Sequence, residues 1–261
     1  MAGFTIQGVS KVFPGPPPTQ ALQGINLTIG EGEFVTFLGP SGCGKSTLLE
    51  IMAGLQQPTE GVVRLGGEEV REPSEKVGVV FQDPSLFPWR TVIRNVELGL
   101  ELRGVPKEER RAVAREYLAM VGLAGVETKY PHQLSGGMRQ RVGIARALAT
   151  SPEVLLMDEP FGAVDHLTRL QLQHDLLDIW MRHRRTIVFV THDVSEAVYL
   201  ADRVVLFSPS PGRVRRIWNV DVPRPRARDD LALVNLQNEI YAEITSLTAE
   251  RDARLVEGVH A

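Results

Sequence analysis

The 261-residue sequence predicts an α/β fold with a mainly parallel core sheet, an N-terminal antiparallel β element and an inserted helical subdomain. Three observations predict it. Val154 to Met157 and Thr186 to Val190 are short apolar runs with polar borders, as strands buried on both faces should be. The chain from about residue 88 to 150 changes to helical spacing. Polar residues follow directly on three apolar runs, at Gly39, Asp158 and His192, and open α/β sheets bind ligands outside the carboxyl ends of their strands.

The elements follow in order. Phe4 to Val9, Ile25 to Ile29 and Phe34 to Leu38 are β-rich runs separated by turn residues, including the loop Pro14 to Pro18. After Leu38 the spacing of Leu48, Leu49, Met52 and Leu55 predicts a helix behind Lys45, with Gly54 as its stop. Gly61 to Val70 reads as a hairpin turning at Gly66-Gly67, placing an antiparallel element beside the strand that ends at Leu38. In the helical insertion, Val113, Tyr117, Met120 and Val121 share one face, and Met138, Val142, Ala145 and Leu148 another. Leu167 to Trp180 is a helix between the two buried strands. From Val204 the tail reads as a hairpin turning through Ser208 to Gly212. A Pro/Arg segment, Pro223 to Arg228, and a helix bearing Leu233, Leu236, Ile240 and Leu247 follow. The expected division is a main domain over 1–220, containing the helical subdomain at about 88–150, and a C-terminal helical extension over 221–261.

Composition narrows the function classes. The formal charge of −3 comes from interspersed acids and bases, so nucleic acid is not an expected partner. Arg182-His183-Arg184-Arg185 and Arg224 to Arg228 read as solvated basic faces, with contact to anionic lipid or nucleic acid as the alternative. Cys43 is the only cysteine, which forbids an intramolecular disulfide and fits a reducing, cytoplasmic compartment. Met1 to Ser10 lacks a secretory leader, and no apolar run approaches the roughly 20 residues that span a bilayer. A membrane role therefore needs a partner chain.

Gly39-Pro40-Ser41-Gly42-Cys43-Gly44-Lys45-Ser46-Thr47 matches the Walker A pattern, between a strand and a helix as that motif requires. Glycines let successive backbone N–H groups turn toward phosphate oxygens, the following helix adds its positive dipole end, and Lys45 adds a full charge. The Ser46 hydroxyl is a ligand for Mg²⁺, and the implied ligand is ATP. Val154 to Glu159 has the form of Walker B, an apolar strand delivering carboxylates to the metal's side. Neighbouring strand residues point oppositely, so Asp158 can hold Mg²⁺ while Glu159 serves as general base for the attacking water.

Leu134-Ser135-Gly136-Gly137-Met138-Arg139-Gln140-Arg141 resembles the signature motif of the ATP-binding cassette (ABC) family, whose fold class is the P-loop NTPase. Further positions agree in the right order. Gln82 resembles the Q-loop glutamine, Phe161 to Asp165 the D-loop, His192 the switch histidine and Phe13 an adenine-stacking aromatic. Met138 and Val164 depart from the commonest residues, and Pro14 to Pro18 lengthens the loop after Phe13; simple packing in a strand-rich segment is the alternative reading of Phe13.

The resemblance implies two chains packed head to tail around two ATP molecules, each held by Lys45 of one chain and by Ser135, Gly136 and Gly137 of the other. Ser135 can cap the helix it precedes, whose dipole would point at the γ-phosphate. Gln82 would contact both Mg²⁺ and water, and His192 the γ-phosphate and the attacking water. Phe81 to Val92 and Ser208 to Arg213 resemble the nitrate, sulfonate and taurine importer branch. That implies a polytopic permease as partner, a solute-binding protein acting indirectly, and a peripheral position on the inner face of the membrane. Leu86, Phe87 and Trp89 are then candidates for permease contact, or simply core cover. Cassette ATPases acting on nucleic acid or ribosomes, exporter motors and small-molecule phosphotransferases are the alternatives.

Overall fold

A computed structural model describes residues 2–162 and 164–258. Two sheets carry the fold. The N-terminal sheet is antiparallel, with β1 (Phe4–Phe13) between β2 (Thr19–Ile29) and β4 (Glu60–Leu65), and the two-residue β5 (Glu68–Glu69) at its edge. The core sheet runs β10 (Val214–Asn219), β9 (Arg203–Phe207), β3 (Phe34–Leu38), β8 (Thr186–Thr191), β7 (Val154–Asp158), β6 (Val77–Val80), all parallel except the β9–β10 edge hairpin. The expected fold class therefore holds. The Gly66-Gly67 hairpin exists, but it sits in the antiparallel sheet, because β8 and β9 already occupy both edges of β3.

Alternation along the core strands sorts the interior into two layers. On one side, Val35, Phe37, Leu156, Val188 and Val190 face α1 (Lys45–Met52) and the antiparallel sheet. On the other, Phe34, Leu38, Leu155, Met157 and Phe189 face helices. These are the insertion helices α2 (Val92–Val96), α3 (Leu98–Leu102), α4 (Lys107–Met120) and α5 (Gly136–Ala149), and the later α6 (His166–His183), α7 (Val194–Leu200) and α8 (Leu231–Gly258). In α4 the buried stripe is Ala114 and Leu118, with Val113 and Tyr117 only partly covered, because the helix turns a smaller face inward than its apolar content suggests. Leu55 lies beyond α1 and is exposed, since Gly54 in a left-handed conformation (φ 75°) has already ended the helix.

The arginines near residue 226 are not a solvated face. Arg224 pairs with Asp202 and lies 4.4 Å over the Trp180 ring. Arg226 is buried and donates to five backbone carbonyls, those of Val198, Tyr199, Ala201, Val220 and Val222. Three of these lie at the end of α7, where carbonyls lack helical partners. Burial, with Arg224 nearby, depresses the Arg226 pKa to about 10. Arg228 lies 3.7 Å over the Tyr199 ring. The segment is a clamp, and α8 follows it with Leu233, Ile240 and Leu247 on one stripe in the helical core. Ion pairs from Arg215 to Glu243 (2.9 Å) and from Arg216 to Glu239 fasten α8 to β10.

Candidate active site

Four adjacent parallel strands, β3, β8, β7 and β6, end at one edge. Register sets Leu38 opposite Thr191 and Asp158 opposite Val190, so Gly39, His192 and Glu159 leave the sheet at nearly the same level. Gln82 follows β6 on the same edge and is exposed. The three strand ends expected to build one site lie side by side at this edge, and β6 brings a fourth beside them.

The glycine-rich loop joins β3 to α1. Gly44 is the N-cap, with φ 92° and no side chain to satisfy the first amides of the helix. A Cβ there would lie 2.7 Å from the Ala21 carbonyl oxygen, so β2 presses against the loop and only glycine fits. Phe13 pairs with Thr19 at the adjoining end of the same hairpin, half-buried, with Lys11 Nζ 5.2 Å from its ring centroid. Lys45 folds back along the loop, donating to the carbonyls of Gly39 (2.8 Å) and Pro40 (2.9 Å). Its ammonium lies 3.6 Å from Cys43 Sγ, yet burial still raises the thiol pKa. Ser41, Gly42 and Thr47 complete the loop and the start of α1.

Ser46 Oγ donates to Asp158 Oδ1 at 3.0 Å, closing a gap of 112 residues. Burial raises the Asp158 pKa; the Ser46 hydrogen bond only partly offsets this, and Glu159 and Glu50 add repulsion. A hydroxyl and a carboxylate converging this closely suit a hard divalent cation, which Mg²⁺ binding through one or two protein oxygens plus phosphates and water requires. Groups of three or more His, Cys, Asp or Glu able to hold a metal are absent among the described residues.

Glu159 has φ 42°, a left-handed conformation costing a non-glycine residue roughly 1–2 kcal/mol. Its amide is held by the Val190 carbonyl (3.0 Å) and its Oε2 meets His192 Nδ1 at 3.1 Å. The turn thus aims this carboxylate at the end of β8, while Asp158 faces Ser46. Ala163, within the Phe161 to Asp165 segment, lies outside the described residues; Asp165 caps α6 by accepting from the Thr168 amide at 3.0 Å.

Ser135 caps α5 as expected, its Oγ accepting from the Met138 amide at 3.3 Å. Gly136 and Gly137 form the helix's first, partly exposed turn. This helix packs on α2, α3, α4 and β6, whereas α1 packs on β2, β7 and β8, so Ser135 and Lys45 belong to different layers. Sequence reasoning missed how α5 governs the Gln82 segment. Gln140 Nε2 donates to the Phe81 carbonyl (3.1 Å), and Arg146 donates to those of Pro84 (2.6 Å) and Ser85 (3.0 Å). Beyond it, Asn95 holds both the amide and the carbonyl of Phe87. Leu86 packs against the helical core, while Trp89 is 71% exposed with its ring 5.2 Å from that of Phe87.

The reach of α8 was also missed. Ile244 and Leu247 share a small cavity with Gly39, Pro40 and His192. At about 130 Å³ it is a packing gap, below the roughly 300–1,000 Å³ of ligand sites.

The described helices include none long and apolar enough to cross a membrane. Comparison with known proteins agrees with the geometry. The ABC transporter family pattern matches residues 22–162. An uncharacterized ABC transporter ATP-binding protein of Methanocaldococcus jannaschii is 52% identical over 236 residues, 90% of this chain and 88% of that protein. The aliphatic sulfonates import ATP-binding protein SsuB of Bacillus cereus is 44% identical, covering 92% and 94%. The bicarbonate transport ATP-binding protein CmpD of Synechocystis is 48% identical, covering 87% and 82%. Among solved structures, a dimeric ATP-binding cassette in a post-hydrolysis state bound to ADP and Pi superposes with a TM-score of 0.78 at 36% identity, covering 84% of this chain and all of that one. With the family pattern over more than half of its length and relatives of this identity covering most of it, the chain belongs to the ABC transporter family and is one of its ATPases.

Proposed function

We propose that the chain is the ATP-hydrolysing subunit of a membrane importer, working in a head-to-tail dimer bound to a separate polytopic permease. One observation carries this reading. The strand ends gather Lys45, Ser46, Asp158, Glu159, His192 and Gln82 at one edge, while the Ser135 helix projects from another layer of the same chain. A second copy, or a homologous ATPase, would supply Ser135, Gly136 and Gly137 to the γ-phosphate.

In this reading the loop amides and Lys45 bind the phosphates, and Phe13 stacks on the adenine. Ser46, Asp158 and Gln82 would hold Mg²⁺, which neutralises phosphate charge when bound. Glu159 accepts the proton of the attacking water, and His192, within hydrogen-bond reach of Glu159, keeps that carboxylate and the γ-phosphate aligned. The capped α5 of the partner directs its amides at the developing charge. Closure would pull on the permease through the Gln82 segment and exposed Trp89, and hydrolysis would release it.

Import is supported by similarity to the sulfonate and bicarbonate proteins along most of their length, and a nitrate/sulfonate/taurine type of system is the branch proposed. The chain would lie in the cytoplasm, peripheral on the membrane's inner face, with a solute-binding protein acting outside. A role on nucleic acid finds no support at residues 224, 226 and 228, whose arginines are turned to internal partners.

The test is Glu159→Gln, which keeps shape and removes basicity. Hydrolysis should fall about 10²–10⁴-fold while ATP remains bound, and light scattering should report a doubled mass in ATP. An ATP-loaded monomer, or near-normal turnover, would sink the proposal. Copurification with nucleic acid instead of a polytopic membrane protein would remove the transport reading.

A further inference from the structure

Glu196 on α7 is a buried carboxylate, 5% exposed, that the chemistry above does not use. Its Oε2 accepts from Thr191 Oγ1, and its Oε1 accepts from Gln173 Nε2 at 2.7 Å. Gln173, on α6, is itself 2% exposed, and its Oε1 accepts from Arg228 Nη2 at 2.6 Å. The Thr191 hydroxyl in turn accepts from the Asp193 amide at 3.0 Å. Asp193 caps α7 through the Glu196 amide at 3.1 Å. Both neighbours of His192 are therefore tied to Glu196: Thr191 by the carboxylate, and Asp193 by the backbone amide in the helix cap and by the Thr191 hydroxyl that the carboxylate holds.

The His192 side chain is 62% exposed, and its polar contact is with Glu159. With so little packing of its own, its direction is set by the two residues that flank it. Burying a carboxylate where an apolar side chain would pack carries a desolvation cost. The bonds that offset it come from α6, from the end of β8 and, through Gln173, from the C-terminal segment.

We propose that Glu196 is the positioning residue of His192: by holding the Thr191 hydroxyl, which itself accepts from the Asp193 amide, and being held through Gln173 by Arg228, its carboxylate fixes the turn that presents His192 to Glu159. The proposal rests on the reading of His192 given above. It makes the segment after residue 220 a support of the hydrolytic site.

The experiment measures kcat, KM and ATP affinity of the full-length chain for Glu196→Ala, Glu196→Gln, His192→Ala and the Glu196→Ala/His192→Ala pair. Glu196→Ala should lower kcat about ten- to a hundredfold, as a small misplacement does, with ATP affinity retained. In the His192→Ala background the same change should add no further loss. Glu196→Gln should restore most of kcat, because its amide can accept from Gln173 and donate to Thr191 Oγ1. Should Glu196→Ala fail to fold, the near-isosteric Thr191→Val removes the same bond and must show the same His192-dependent loss. Additive losses beside a slow His192→Ala, or a fall in ATP affinity that tracks kcat, overturn the positioning role alone. A His192→Ala protein at the wild-type rate overturns the reading of His192 and the proposal with it.

Discussion

Replacing Asp158 by Asn is expected to stabilise the nucleotide-free protein while abolishing its hydrolysis. Burial raises the Asp158 pKa above its ordinary 3.8, and Glu159 and Glu50 push in the same direction. A raised folded pKa means that folding disfavours the charged form. The penalty is absent below the unfolded value and develops as pH rises through the folded one. Asn keeps the volume and can still accept the Ser46 hydrogen bond, now 3.0 Å long, so the substitution removes a charge without opening a cavity. Because Asp158 is partly open to solvent, the gain belongs at the low end of functional-site stabilisations, about 0.5–1 kcal/mol. For a chain of this size that is a rise in Tm of about 1–4 °C. Differential scanning calorimetry in a chelator, at about pH 7.5 and again at about pH 4.5, reads the difference, which should narrow in acid as the wild-type carboxyl takes up its proton. A variant that melts below the wild type, or a difference that widens in acid, would show that the carboxylate stabilises the empty site and would refute the argument.

Three further outcomes are expected. Lys45→Ala should weaken ATP binding about 10–100-fold by titration calorimetry, since a charged donor to phosphate is lost; unchanged affinity would count against the phosphate loop. Arg226→Ala should destabilise the chain by about 2–5 kcal/mol in urea unfolding, because five carbonyls lose a shared charged donor and part of that loss is offset by no longer burying the guanidinium. A cost under about 0.5 kcal/mol, the level of an ordinary surface change, would return Arg226 to a solvated role. Trp89→Ala should cost about 2 kcal/mol of permease association, near a 30-fold loss of affinity in pull-down titrations, and undiminished capture would remove Trp89 from the docking surface.

Much of the site was legible because its parts are local. The glycine pattern from Gly39 to Gly44 encodes a turn and a helix start within a few residues, and Ser135 before two glycines encodes a cap. Strand-ending carboxylates at Asp158 and Glu159 declare themselves by the apolar run in front of them. The arginines were misread for the opposite reason. A Pro/Arg segment looks solvated by composition, and nothing near Arg226 in sequence announces that the end of α7, more than 20 residues earlier, offers it three unsatisfied carbonyls.

The sequence by itself determined the glycine-rich loop between strand and helix, the strands that deliver the acids, and the helix that Ser135 caps, because each follows from side-chain period and backbone freedom over a short stretch. Tertiary structure alone decided which of these meet. Ser46 reaches Asp158 across 112 residues and His192 reaches Glu159 across 33 only because strand order and register bring β3, β8 and β7 side by side. The same long-range packing sets α8 beside Gly39 and ties Glu196 to the turn at His192. Contacts between distant segments depend on how whole layers stack, and no short pattern in the chain carries that information.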